Sequence, residues 1–157
     1  MSVLAVESFS RPDSWDLPLF VHVLGAMTLV GATMLAVTSL AAAWRNGSIP
    51  LTRLGFRALL WGVIPAWLVM RLSAQWIADE EGLEDADLAW IDIGYMTAEP
   101  LFLLVIIATV LAGLAVRRAG REGGGGPSVG VRIATGLVGV ALLAYLVAVW
   151  AMTTKPT

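Results

Sequence analysis

The chain of 157 residues has room for one domain, and a composition that is 58% apolar and only 14% charged lies outside the range of ordinary soluble domains. Because it has no cysteine, it cannot form disulfides, thiolate metal sites or iron–sulfur clusters. The formal net charge is -2, and the chain has no dense basic tract, which argues against nucleic acid as a partner. The lipid bilayer is therefore the expected solvent.

Four segments are long and apolar enough to cross a membrane, which takes about 20 mostly apolar residues in a helix. They cover approximately residues 17–44, 54–77, 94–116 and 129–152. The segments lack the alternating pattern of barrel strands. The sequence therefore predicts an all-α fold, a single integral membrane domain (1–157) built as an antiparallel up-down bundle of four transmembrane helices.

The first span carries the single histidine of the chain, His22, six residues after Asp16. Small residues follow at Gly25, Ala26 and Ala32, so we expect His22 to face the other helices and not lipid. The simplest role for such a side chain is a hydrogen bond across helices. Imidazole is also a ligand for copper and haem iron, which makes His22 a candidate metal or haem ligand.

The second span combines a small-residue stripe with a polar outer end. Arg71 lies six residues before the end of this span, and Gln75 follows one turn later on the same helical face. Pro65 lies mid-span, where a kink is expected. The stripe repeats every four residues and predicts a helix interface: Ala58, Gly62, Ala66 and Met70.

The third and fourth spans differ in polarity. Glu99 lies seven residues into the third helix from Asp92, with Tyr95 one turn before it. The fourth span offers small packing residues at Gly136 and Gly139. Glu99 is therefore the third ionisable residue, after His22 and Arg71, that lies within a predicted span, and such positions are where function is expected in a membrane protein.

Basic and acidic residues are sorted between the two ends of the bundle. The predicted outer loop 79–92 carries seven acids and no basic residue, whereas the Gly-rich loop 117–130 and the connection after the first span are basic. Since cytoplasmic loops retain arginine and lysine, both termini are predicted to lie outside the cytoplasm (N-out, C-out), in the plasma (inner) membrane of a bacterium. The seven arginines expected inside are Arg45, Arg53, Arg57, Arg117, Arg118, Arg121 and Arg132.

Counting along the helices predicts a polar layer in the outer third of the membrane. At 1.5 Å per residue, His22, Arg71 and Glu99 all lie roughly 9 to 10 Å below the outer surface, and Gln75 and Tyr95 would extend the layer outward. Arg71 would either extend its guanidinium to the interface or pair with Glu99, since arginine engages a carboxylate well. Equal depth does not tell whether these side chains point at one another.

Four methionines in the outer half widen the metal hypothesis. Thioethers favour Cu(I), so Met27, Met70, Met96 and Met152 could join His22 in a copper site. The alternative is that these methionines fill the core, as most do. A haem held by two histidines of one chain is excluded, because His22 has no second histidine to pair with.

The first span, LPLFVHVLGAMTLVGATM, has a histidine followed by small residues and a Val-Gly step, at His22, Gly25, Ala26, Val30 and Gly31. In this it resembles the opening helix of the copper-resistance D (CopD)-like bacterial membrane proteins and of related uncharacterised four-helix families. The resemblance covers one helix of four. It implies a bundle associated with copper handling or haem, in which His22 is the residue that carries over.

Three functions compete at this point. The first is a non-enzymatic membrane subunit or accessory protein, favoured by short loops, packing residues and the lack of a recognisable catalytic set, with a membrane protein or a second copy as partner. The second is a haem- or copper-binding redox or transport protein that uses His22. The third is a small transporter with a polar site at Arg71 and Glu99.

Overall fold

A computed structural model describes residues 16–81, 89–122 and 128–154; the side chains at 80–81, 89–98, 122, 152 and 154 lie outside the described part. Within these ranges the backbone is helical except at Gly47, Ser48 and Ser128. The helices are α1 (Asp16–Asn46), α2 (Ile49–Ala58), α3 (Ile64–Glu81), α4 (Ala89–Glu122) and α5 (Val129–Thr154), and a π-helical turn (Leu59–Val63) joins α2 to α3.

The predicted fold class is confirmed. Four helical stretches are long and apolar enough to cross a membrane, and the second of them runs through α2, the π-helical turn and α3. Their apolar length explains this directly, because each can bridge the hydrocarbon core while satisfying its backbone groups internally. The order of these stretches along the chain matches the prediction.

Several helices extend further than the predicted spans. The second begins at Ile49 and not near residue 54, with Pro50 in the first turn, where its missing N–H costs no hydrogen bond. α4 continues to Glu122, so the Gly-rich loop is shorter than the predicted 117–130, because the run from Arg117 contains good helix formers. The outer loop is also shorter than 79–92, and its residues 82–88 lie outside the described part.

A tight turn reverses the chain between α1 and α2. Gly47 adopts a φ of 62°, the left-handed conformation in which glycine is strongly preferred. The N–H of Ser48 then donates to the carbonyl oxygen of Ala43 at 3.2 Å, the hydrogen bond of a glycine-terminated Schellman motif. α1 and α2 are therefore antiparallel neighbours.

Close backbone approach fixes α1 against the second span. A Cβ added at Gly25 would lie 3.1 Å from the backbone nitrogen of Met70, and one at Gly62 would lie 2.9 Å from Cβ of Ala32. The predicted stripe of small residues thus packs on α1, with Ala58 and Ala66 buried. α1 also packs on α5, α5 packs on α4, and α4 meets α2 more extensively than it meets α3.

The π-helical turn lies immediately before Pro65. Within it, the N–H of Ile64 donates to the carbonyl of Leu59, five residues back instead of four. Pro65 has no N–H, and in a regular α-helix its ring would collide with the carbonyl of Trp61. At the proline where the sequence predicts a kink, the structure thus has a local widening of the helix, which gives the ring room.

Candidate functional site

His22 lies at the junction of α1 and α3. Its Nδ1–H donates to the carbonyl oxygen of Met70 at 3.2 Å, and the Oγ of Ser73 lies 3.4 Å from the same nitrogen. The Ser73 hydroxyl itself donates to the carbonyls of Val69 (2.8 Å) and Met70 (2.9 Å). His22 is half-buried and faces the bundle, in the orientation that the small residues after it favour.

The partner of Nδ1 determines the state of the imidazole ring. A carbonyl oxygen can only accept, so Nδ1 carries the proton in this hydrogen bond and Nε2 of a neutral ring keeps its lone pair. The contact is possible because Gly25, one turn along α1, lets the backbone of Met70 approach. The histidine and the glycine three residues later therefore act together: Gly25 lets the two helix backbones approach, and His22 forms the hydrogen bond between them.

Arg71 and Glu99 connect α3 to α4. Nη2 of Arg71 lies 4.0 Å from Oε1 of Glu99, and Nη1 donates to Oε1 of Gln75 at 2.9 Å. The Arg71 side chain is 23% exposed and that of Glu99 is 73% exposed. The guanidinium thus lies between two oxygen acceptors at the surface of the bundle, and the carboxylate faces outward.

An aromatic pair lies one turn further into the membrane. The rings of Trp67 and Phe102 stack with centroids 3.9 Å apart and an interplanar angle of 13°. Trp67 precedes Arg71 by one turn and Phe102 follows Glu99 by one turn, so both contacts belong to one antiparallel register. Continued outward, this register places position 95 across from Gln75; the Tyr95 side chain lies outside the described part.

The predicted layer is arranged as two junctions on different faces of α3. Met70 and Arg71 are consecutive, so their side chains point about 100° apart around the helix. The contacts of His22 lie on the side of α3 toward α1, and the contact with Glu99 lies on the side toward α4. Counting residues predicts that His22, Arg71 and Glu99 lie at equal depth, but it does not predict that their contacts lie on different sides of α3.

Of the four methionines proposed as copper ligands, Met27 and Met70 have described side chains. Met27 is 69% exposed on the outer face of α1, and Met70 reaches His22 through its backbone carbonyl. The side chains of Met96 and Met152 lie outside the described part. No group of three or more His, Cys, Asp and Glu side chains in that part could hold a metal ion.

Three features of this region were absent from the sequence prediction. Ser73 beside His22 continues the small-residue stripe of the second span by one turn, which is the signal that could have identified it. The Trp67–Phe102 stack had no signal, because residue spacing predicts the depth of an aromatic side chain but not which side chain it meets on another helix. Tyr145 is only 5% exposed, and its hydroxyl has no hydrogen-bond partner within the described ranges.

Comparison with known proteins gives no relative for this chain: no protein-family model, no curated protein and no solved structure matches it. Function therefore has to be argued from the geometry of the chain itself.

Proposed function

We propose that this chain is a non-enzymatic subunit or accessory protein of a membrane complex, in the plasma membrane of a bacterium with both termini extracytoplasmic. In this proposal, the exposed face of α1 centred on Gly31 binds a transmembrane helix of the partner protein. The observation that carries the proposal is the environment of Gly31.

Three helical glycines of the first and second spans have neighbours that explain them. A Cβ at Gly25, Gly55 or Gly62 would press on Met70, Leu40 or Ala32. Gly31, the middle residue of α1, has no atom within 4 Å of its Cβ position and is exposed. Gly120 and Gly136 are open in the same way, but Gly31 is the one of these three that shares its helix face with exposed threonines. Since glycine costs a helix about 1 kcal/mol relative to alanine, a glycine that serves no contact within the chain needs another reason.

The surroundings of Gly31 fit a helix-binding surface. Thr28 and Thr38 are exposed on the same face, and their hydroxyls donate to carbonyls of their own helix at 2.8 Å, so no unsatisfied polar group opposes burial. Gly31 forms a gap between the larger exposed side chains of Met27, Met34 and Leu35. Such a gap can receive a side chain of a second helix in a membrane, where van der Waals packing drives association. The face of α1 is therefore shaped for another helix at the level where lipid would otherwise lie.

Site-specific photocrosslinking in native membranes tests this proposal. A photoreactive residue at Leu35, exposed one turn from Gly31, should crosslink to a distinct partner protein, whereas the same residue at the exposed Leu143 of α5 should crosslink to lipid. Gly31→Leu should abolish the protein crosslink, and Gly136→Leu should leave it intact, because Gly136 is an equally open glycine on α5. Crosslinks equal at both sites, or only to further copies of this chain, would contradict it.

A second candidate is copper or haem binding through His22, as the CopD-like resemblance implies. What favours it is the hydrogen bond from Nδ1 to the Met70 carbonyl, which orients the ring and leaves Nε2 as the coordinating atom. The remaining ligands would come from outside the described residues or from a second molecule. The test is the visible absorbance spectrum and elemental analysis of purified protein; absence of both a Soret band and stoichiometric copper would eliminate this candidate.

A further inference from the structure

Three arginines lie together at the end of the bundle opposite His22. Arg53 and Arg57 are one turn apart on α2, and Arg117 lies on the adjacent helix α4. All three are exposed. In the part of the chain that the structure describes, no carboxylate forms an ion pair with them; the carboxylate ion pair seen there is Arg71–Glu99 at the other end. We call these three residues the α2–α4 arginine cluster.

A direct contact between the helices fixes the geometry of this cluster. The Phe56 ring packs on Gly113, whose added Cβ would lie 3.0 Å from Cε2 of the ring. Arg53 precedes Phe56 by about one turn, and Arg117 follows Gly113 by one turn. Because α2 and α4 are antiparallel, these two steps lead in the same direction, and Arg53 and Arg117 come to the same level on adjacent helices.

This register has opposite consequences at the two ends of the bundle. At the outer end it brings a guanidinium to a carboxylate, Arg71 to Glu99. At the other end it places Arg53 and Arg117 at the same level on adjacent helices, and like charges on neighbouring elements repel. Such an arrangement is stabilised when an anion lies between the cations, and guanidinium groups bind phosphate through paired N–H donors.

The apolar neighbours indicate which phosphate would bind. Trp61 is exposed one turn beyond Arg57 of α2, and Leu114 is exposed about one turn before Arg117 on α4. The cluster thus has cationic groups at the membrane end and apolar side chains directly below them, toward the hydrocarbon. A phospholipid has the same order of groups along its length, a phosphate followed by acyl chains. Free phosphate has no group that could contact the apolar side chains.

We propose that the α2–α4 arginine cluster binds the headgroup phosphate of an anionic phospholipid, with the acyl chains against Trp61 and Leu114. This site is independent of the proposed partner surface on α1, and it does not depend on which leaflet this end of the bundle occupies.

Native mass spectrometry of the full-length chain with added lipid tests the proposal. Phosphatidylglycerol should bind with at least tenfold preference over phosphatidylcholine of the same acyl chains. The double variant Arg53→Gln/Arg117→Gln should lose about 30-fold in phosphatidylglycerol affinity, since each basic residue near an anionic lipid contributes about fivefold. The matched double variant Arg45→Gln/Arg121→Gln removes two exposed arginines outside the cluster and should lose less than fivefold.

Two further arms separate the alternatives. Inorganic phosphate at 10-fold excess over the lipid should not displace it; displacement would show an anion site without lipid specificity and overturn the proposal. Equal losses in the two double variants would show general attraction by the charged end, and would also overturn it. Thermal unfolding of both double variants should match the wild type, because the substituted side chains are exposed. If the cluster variant unfolds, the single variant Arg117→Lys replaces it. This variant keeps the charge but not the paired donors, and it should still lose affinity for phosphatidylglycerol.

Discussion

Individual glycines and polar side chains have separable roles in this bundle. Gly25 and Gly31 lie on the same helix six residues apart, yet the first faces the backbone of α3 and the second faces open space. His22 joins α1 to α3, and the hydroxyl of Thr28 bonds only within α1. Because only one member of each pair contacts another helix, substitution at these positions distinguishes contact between helices from the intrinsic preferences of a helix.

Alanine at Gly25 should destabilise the bundle, and alanine at Gly31 should not. A Cβ at Gly25 would lie 3.1 to 3.3 Å from three atoms of Met70, two of them backbone, which can move only if the helices separate. Overpacking of this kind costs about 1–3 kcal/mol, more than the roughly 1 kcal/mol that alanine gains over glycine in a helix. Gly31→Ala should be neutral or stabilising by up to about 1 kcal/mol. Reversible unfolding in mixed micelles measures both, and equal effects of the two substitutions would contradict this account.

Loss of the His22 hydrogen bond should have a modest cost. Interhelical hydrogen bonds in membranes contribute about 0.6 kcal/mol on average and up to about 1.7. His22→Leu should therefore lower the free energy of unfolding by this amount, and His22→Asn should recover part of it, because its amide N–H can replace Nδ1–H. Thr28→Ala is the control and should have no measurable effect. If His22→Asn and His22→Leu have the same free energy of unfolding in the same micelle assay, the hydrogen bond to Met70 does not stabilise the contact between α1 and α3.

At the scale of elements, α3 and α4 are joined by two contacts of different strength. The Trp67–Phe102 stack lies deeper in the bundle, where Trp67 is buried, and the Arg71–Glu99 pair lies at the surface with its closest atoms 4.0 Å apart. Stacked aromatic pairs contribute about 0.5–1.5 kcal/mol beyond their burial, whereas exposed ion pairs contribute about 0–1 kcal/mol. The aromatic pair should therefore be the stronger link between these helices.

Double-mutant cycles measure this difference directly. The cycle of Trp67→Leu and Phe102→Leu should give a coupling free energy near 1 kcal/mol, and the cycle of Arg71→Gln and Glu99→Gln should give less than half of that. The second coupling should also fall as salt is raised, since the carboxylate is exposed. A larger coupling for the charged pair would mean that Glu99 is shielded from solvent in the membrane, as a transport site would require.

The elements differ in how far the sequence could predict them. Length and apolar content are sufficient for the four spanning helices, because the bilayer imposes one requirement on each segment. The π-helical turn before Pro65 and the helical extension past Arg117 depend on local competition among hydrogen bonds, which hydropathy does not represent. For the polar side chains, residue counting predicts depth only. Their division between the α1 and α4 sides of α3 depends on the close approach at Gly25 and on the Trp67–Phe102 stack.

For the molecule as a whole, the two ends of the bundle carry different charges. The end with the turn at Gly47 has exposed arginines on α1, α2, α4 and α5, one of which, Arg132, lies with its guanidinium carbon 5.3 Å from the ring centre of Trp44. The opposite end has Asp16 and Asp79 among its described residues. A chain with this asymmetry should insert in one orientation, because positive loops are retained in the cytoplasm.

Impermeant thiol labelling in intact cells tests that orientation, and the lack of cysteine makes the chain a ready background for it. Asn46→Cys and Thr153→Cys each place one thiol at an exposed position, at opposite ends of the bundle. If both termini are extracytoplasmic, the thiol at 153 reacts in intact cells and the thiol at 46 reacts only after the membrane is permeabilised. The same pair in a background with Arg45, Arg53 and Arg57 changed to glutamine should show mixed orientation, since the retention signal is weakened. Labelling at 46 in intact, otherwise unaltered cells would reverse the topology and move the α2–α4 arginine cluster to the outer leaflet.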